Sequence, residues 1–333
     1  LGGAAPDITG GPDMPTSEAT DTDRPVTAWL RDVARDGLVL GVCTGARLVA
    51  EAGLLDGRDA TSHWYRLASL EKAHPDVRWE RGVRYVDEGN VITTGGLLSS
   101  IDGTLRVVER FLGADSAAAA AEAVAWHHYS PGAAAALPGS SLTPTEAFLH
   151  LINTGFRADT TTVGVVLADG VSELELAAAF DPYTEVKGAR TLAVGPGGSS
   201  IRSLHGLTFV PRADLEPSTT GTLDWLIVPG AAVAAGPDPS VTDAVRDVEV
   251  PVAYLHRQPG FAFDEALREM ARRMDVPTAT WTAKLLELPT DGIRLAGSSW
   301  PWLPSLHAVG LGLVGFATAL GATRLVRRTR RRT

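Results

Sequence analysis

The apolar positions fall into short buried runs and longer amphipathic stretches. A helix is expected from about Pro25 through Trp29, Leu30, Val33 and Ala34, because proline is well tolerated in a first helical turn. Leu38-Val39-Leu40-Gly41-Val42 then reads as a short buried strand of a parallel sheet. Residues 47–52 continue as a helix, with Gly53 as its stop. An extended segment, 60–63, ends at His63, and 64–74 has helical spacing up to Pro75. Residues 83–86 and 90–93 form a predicted hairpin turning at Asp87-Glu88-Gly89. Residues 101–112 present Ile101, Leu105, Val108 and Leu112 on one helical face.

A run rich in Ala, Pro and Ser follows, and residues 129–160 read as linker. The alternation then restarts. Residues 163–167 are a buried strand, Asp169-Gly170 a turn and 174–183 a helix. Strands at 191–194, 223–228 and 250–254 alternate with helices at 240–247 and 263–274. Such alternation implies an α/β fold with a parallel sheet covered on both faces. The expected organisation is a leader (1–23), a first α/β domain (24–128), the linker, and a second α/β domain (161–292). A membrane-spanning helix (303–323) and a basic tail (324–333) complete it.

The last two segments rest on charge. Arg294 and Arg324 bracket a stretch without Asp, Glu, Lys or Arg. Its apolar core has about the ~20 residues that a spanning helix needs. Trp300 and Trp302 stand at one edge and six arginines at the other, as an aromatic belt and a cytoplasmic end require. With the arginines inside, residues up to about 300 lie outside the cytoplasm. The stretch 1–23 has no charged segment followed by an apolar one and is not a signal peptide. The export signal is therefore expected ahead of Leu1.

Composition excludes more than it selects. Apolar residues at 44% and charged residues at 21% are ordinary for a folded chain, so disorder is not expected. A formal charge of -9, with no basic stripe before the last ten residues, speaks against a nucleic-acid partner. One cysteine allows neither an internal disulfide nor a multi-cysteine zinc site. The neighbours His127 and His128 do not suggest a metal site, and Gly195-Pro196-Gly197-Gly198 lacks the Lys-Ser/Thr of a phosphate loop.

That cysteine, Cys43, sits where a buried strand stops and a helix begins, with Gly41 and Gly45 two residues to either side. Small residues there permit a tight turn like the serine elbow of hydrolases. A helix N-terminus favours the reactive thiolate, and the Thr44 N–H is the candidate oxyanion donor. The alternative is a small buried core residue, the usual state of a free cysteine.

Gly41-Val42-Cys43-Thr44-Gly45-Ala46, Ala52-Gly53-Leu54-Leu55-Asp56-Gly57 and Ala60-Thr61-Ser62-His63-Trp64 resemble the ThiJ/PfpI family of the class I glutamine amidotransferase-like superfamily. Tyr85-Val86-Asp87-Glu88-Gly89-Asn90-Val91-Ile92-Thr93 and Ser100-Ile101-Asp102 extend the resemblance. The similar subgroup includes isonitrile hydratases and sensor domains of AraC-type regulators. The resemblance implies a flavodoxin-like sheet sandwiched by helices, with Cys43 reactive and His63 near the thiol. It also implies an acidic residue after a first strand, which this chain lacks ahead of Cys43. Residues 163–181 resemble that missing half, and Glu175 falls on the acidic position. Where a second elbow cysteine is due, the chain reads Leu255-His256-Arg257-Gln258-Pro259.

Two arrangements follow. Either two tandem family domains are present, the first incomplete and the second degenerate, or Glu175 completes the Cys43 site as in a circular permutation. The first is preferred, because residues 256–290 retain strand and helix material that a full second domain would use. The expected function is a membrane-anchored, cysteine-dependent hydrolase or hydratase acting on a small molecule. The alternative is a non-enzymatic ligand or redox sensor using the same cleft. No cofactor is implied, and a homodimer is compatible with the resemblance.

Overall fold

A computed structural model describes residues 23–330 apart from 134–135, 138–139, 158–160, 196, 198–199, 231–238 and 247. The leader, most of the glycine-rich turn at 195–198 and the last three residues lie outside the described residues. The chain divides into two units with interleaved borders. The first comprises residues 1–143, 260–262 and 283–292, and the second comprises 144–259, 263–282 and 293–333.

The first unit opens with α1 (Asp23–Asp36), whose Leu30 and Ala34 are one helical turn apart and buried. β1 (Val39–Val42) follows and leads into α2 (Gly45–Glu51). β2 (Asp59–Ala60) and β3 (Arg78–Trp79) form a parallel pair on either side of α3 (Leu67–Ala73). β4 (Tyr85–Asp87) and β5 (Val91–Thr94) are the predicted hairpin, with Tyr85 opposite Thr94. β1 lies parallel to β5, with Val42 beside Thr94, so the sheet order is β1-β5-β4. α4 (Ser99–Leu112) begins two residues before the predicted start. It runs into α5 (Ala114–Ala123) through Gly113, at φ 89. Leu30, Val39, Val49, Leu55, Val77 and Val91 are buried in one apolar cluster. Each such side chain contributes about 1.5–3 kcal/mol on leaving water.

In the second unit, α6 (Pro144–Phe156) is a 13-residue helix within the stretch expected as linker. Leu149, Ile152 and Asn153 are its buried residues, at helical spacing. β6 (Thr162–Val166) and α7 (Glu173–Glu185) follow. Ser172 caps α7, accepting from the Glu175 N–H while the Glu175 carboxylate accepts from the Ser172 N–H, a capping box that satisfies two otherwise orphaned donors. Beyond α7 come β7 (Arg190–Gly195), the small antiparallel pair β8 (Ile201–Arg202) and β9 (Thr208–Phe209), β10 (Ala213–Asp214) and α8 (Pro217–Thr220). β11 (Trp225–Val228), α9 (Pro239–Arg246), β12 (Val252–Tyr254), α10 (Ala262–Arg273) and α11 (Val276–Leu286) complete the α/β part.

The sheet order is β10-β7-β6-β11-β12, and every pairing is parallel. Counted from β6, the four strands β7-β6-β11-β12 follow the 2-1-3-4 order of a flavodoxin-like sheet. Val163, Val165, Leu226 and Ile227 are fully buried, as continuous apolar strands covered on both faces should be. The α/β, flavodoxin-like expectation is met.

α12 (Trp302–Arg330) runs on through Arg324, Arg327, Arg328 and Arg330 of the basic segment. Its stretch from Trp302 to Leu320 is long and apolar enough to cross a membrane; Pro304 in its first turn is buried, and residues 309–320 are exposed.

The base of the second unit holds a buried ion pair. Arg157 Nη2 donates to Asp275 Oδ2 at 2.9 Å, and the other Asp275 oxygen accepts from the Thr278 N–H at 2.7 Å, in the first turn of α11. Asp275 is fully buried. Removing one partner of a buried pair strands the other charge at about 3–5 kcal/mol. Asp275→Ala leaves Arg157 in place without its carboxylate. It is therefore expected to lower unfolding stability by that amount, read as a shift of the urea midpoint.

Candidate functional site

Cys43 follows β1 directly and takes φ 54, a left-handed conformation that few non-glycine residues adopt. Thr44 returns to φ -63, and α2 starts at Gly45. Gly41 makes the fold-back possible, because a Cβ there would lie 2.9 Å from Val49 Cγ2. The predicted elbow is present, and it holds Cys43 half-buried. The Cys43 carbonyl accepts from the Ala46 N–H at 3.1 Å and from Ser62 Oγ at 2.8 Å. The turn is thus pinned from α2 and from the segment that carries His63.

His63 is buried, and both ring nitrogens are engaged. Nδ1 accepts from the Tyr65 N–H at 3.3 Å, and Nε2 lies 2.7 Å from the Leu285 carbonyl. An accepting Nδ1 puts the proton on Nε2, which donates to that carbonyl. These bonds account for the two nitrogens without the thiol.

Glu287 was not apparent from the sequence. It takes φ 59 and is buried. Its Oε2 accepts from the Gly96 N–H and from Ser99 Oγ, each at 2.5 Å, and Oε1 lies 3.4 Å from the Trp64 N–H. A Cβ on Gly95 would run into the carboxylate, so only glycine leaves it room. Parallel register places Gly95 next to Cys43, one step beyond the Val42–Thr94 pair. Adjacent strands lie about 4.8 Å apart. The Glu287 carboxylate therefore stands at the same sheet end as the elbow, one strand away. Leu286 and Leu288, both buried, flank it. An acid between two core leucines was the local signal, but nothing local pairs it with residues nearly 200 positions earlier.

Behind Glu287 lies a buried charged cluster. Arg84 Nη1 is 3.3 Å from the Glu287 carbonyl and 3.4 Å from Ser99 Oγ. Its Nε is 3.6 Å from Asp102 Oδ2, and its guanidinium stacks 5.1 Å from the Trp126 ring. Burial raises the Asp102 carboxyl to about 6, with Arg84 opposing the shift. Burial likewise lowers Arg84, against the pull of Asp102 and Glu287.

The second unit also has a left-handed residue beyond a strand. His256, two residues after β12, takes φ 64, and α10 starts six residues later. Its Nδ1 accepts from the Gly230 N–H at 3.1 Å and lies 3.9 Å from Glu175 Oε1. Glu265 Oε2 accepts the His256 N–H at 2.5 Å and the Arg257 N–H at 3.2 Å. Glu175 thus stands near His256 within its own unit.

The comparisons with known proteins point to the same region. Residues 8–110 match the model of the DJ-1/PfpI family, and this part of the chain is a DJ-1/PfpI family domain. The HTH-type transcriptional regulator CdhR of Pseudomonas aeruginosa is 40% identical over 81 residues, 24% of each chain. The isonitrile hydratase of Pseudomonas putida is 33% identical over 112 residues, covering 32% of this chain and 43% of the hydratase. The chain thus spans from a quarter to under half of the length of these relatives. A ThiJ/PfpI family protein from Pseudomonas syringae aligns in structure at 16% identity with a TM-score of 0.34, over 56% of this chain and 94% of the other.

Two measurements probe the site's frame. Glu287→Ala leaves the Gly96 N–H and the Ser99 hydroxyl without their buried acceptor and is expected to cost about 2–4 kcal/mol in urea unfolding. Asp102 is protonated more readily folded than unfolded, where its ordinary value is 3.8. A raised acid stabilises below its unfolded value and loses that contribution as pH rises through the folded one. Relative to Asp102→Asn, the wild type should lose about 2 kcal/mol between pH 4 and pH 7. A flat difference across that range contradicts the assignment.

Proposed function

We propose that the first unit is a cysteine-dependent site for a small electrophilic molecule, with hydrolysis or hydration as its chemistry. The observation that carries this is the left-handed backbone at Cys43, a strained conformation kept by a non-glycine residue where β1 meets α2. Such strain costs on the order of 1–3 kcal/mol and persists where function requires it. In the proposed reaction the thiolate sulfur forms a bond to a carbonyl-, nitrile- or isonitrile-type carbon. The displaced π pair moves to the heteroatom or stays on the isonitrile carbon, and a proton neutralises it. On a nitrile or isonitrile, water then adds at the same carbon of the thioimidate, and the C–S bond breaks to return the thiolate and release the amide. On an amide, the C–N bond breaks first and the amine leaves with a proton; water then adds to the thioester, and the C–S bond breaks to release the acid and return the thiolate. The Thr44 N–H, at the elbow, is the donor assigned to the developing anion. His63 serves as an orienting group, since its ring is fixed by Tyr65 and Leu285. The hydratase among the relatives supports this chemistry.

The engaged nitrogens of His63 favour a second reading, a ligand or redox sensor without turnover. The regulators among the relatives support it. On either reading α12 anchors the chain in a membrane, with its arginines on the cytoplasmic side and the α/β units outside.

Alkylation of Cys43 followed against pH separates the two. The enzyme reading expects a thiol pKa below the free value of about 8.5, with turnover of small isonitriles, nitriles or amides that Cys43→Ser abolishes. A thiol at the free value together with no turnover of these classes removes the enzyme reading and leaves the sensor.

A further inference from the structure

A cavity of about 330 Å³ lies in the second unit, at the root of α12. Volumes from about 300 Å³ upward are typical of small-ligand sites. Among the described residues its wall includes Arg157, Arg273 and His307 together with Trp225, Trp300 and Trp302, and no aspartate or glutamate. Among these residues Arg157 is matched by Asp275, while Glu269 is shared between Arg272 at 2.6 Å and Arg273 at 2.8 Å, two cations to one carboxylate. His307 adds a further positive charge when protonated. The same wall includes the first turns of the helix whose next residues, to Leu320, are long and apolar enough to cross a membrane. Phe148 of α6 stacks on Trp300 with ring centres 6.0 Å apart, fixing that tryptophan at the rim.

We propose that this cavity holds the phosphate-bearing head group of an anionic phospholipid, with Arg273 as its main cationic contact. The inference rests on the reading of α12 as membrane-inserted. A helix that enters the bilayer at Trp302 brings the cavity to the level of the head groups, where tryptophan is favoured. Basic groups at that level attract anionic lipid. A phosphate diester suits the cavity in two respects: an arginine that shares its carboxylate with a second arginine, and tryptophans that belong at the head-group level. Arg157 is less suited, because it is buried and already held by Asp275.

The test uses the full chain in phosphatidylcholine nanodiscs, with and without phosphatidylglycerol. Lipids retained on release are counted by native mass spectrometry, and melting is followed in parallel. Phosphatidylglycerol is expected to be retained in preference to phosphatidylcholine and to raise the melting temperature. Arg273→Gln should weaken the preference about fivefold, and Arg273→Lys should keep most of it. Glu269 retains Arg272 in the glutamine variant, so folding is not the variable. Equal retention of both lipids, or a preference unchanged by Arg273→Gln, overturns the proposal. So does stabilisation by inorganic phosphate alone equal to that by phosphatidylglycerol, which would make the ligand a free phosphate. A chain that floats with no vesicle of either composition overturns the membrane reading itself. A chain that floats but shows no lipid preference overturns only the cavity.

Discussion

The Glu287 carboxylate closes the first unit. Residues 283–292 lie far along the chain, yet they pack with residues near Cys43. Glu287 satisfies the Gly96 N–H and the Ser99 hydroxyl, and the Leu285 and Leu286 carbonyls take His63 Nε2 and the Leu98 N–H. Buried donors of this kind cost free energy when left unpaired. Without the segment, the edge of the sheet beside the elbow would expose them all at once. The conformation of His63 and of the Gly95–Gly96 loop therefore follows from a contact made late in the sequence.

Each unit holds a left-handed non-glycine residue beyond the end of a parallel strand, Cys43 at φ 54 and His256 at φ 64. Their settings differ. α2 starts two residues after Cys43, whereas α10 starts six residues after His256. His256 Nδ1 is held by the Gly230 N–H and lies 3.9 Å from Glu175, while the Cys43 carbonyl is held by Ala46 and Ser62.

Much of this was legible in the sequence. The runs 38–42, 163–167 and 223–228 gave their strands, because continuous apolar residues between turn signals admit few other readings. The Gly-x-Cys-x-Gly spacing gave the elbow, because Gly41 reports the steric demand of folding α2 onto β1 and Gly45 begins α2. α6 was hidden by its composition, as Thr, Asn and Gly weaken the helical signal and burial against the second unit restores it. Glu287 was hidden for a different reason. Its partners stand 188 and 191 residues away, and no local spacing encodes a contact of that range. The place of His256 was legible, since the sequence puts a missing elbow cysteine at 255–259, but its left-handed φ was not.

The interleaving of the units has a consequence for synthesis. A ribosome adds about 5–20 residues per second. Once Gly96 has emerged, its carboxylate partner follows 191 residues later, so the sheet edge beside the elbow waits about 10–40 s for the piece that closes it. During that interval the Gly96 N–H and the Ser99 hydroxyl stay open to water or to a chaperone. The second unit's sheet, by contrast, has all five strands by Tyr254 and can assemble first. The Cys43 turn itself is held by Ala46 and Ser62 and needs no such wait; it is the Gly96 and Ser99 donors beside it that are satisfied last.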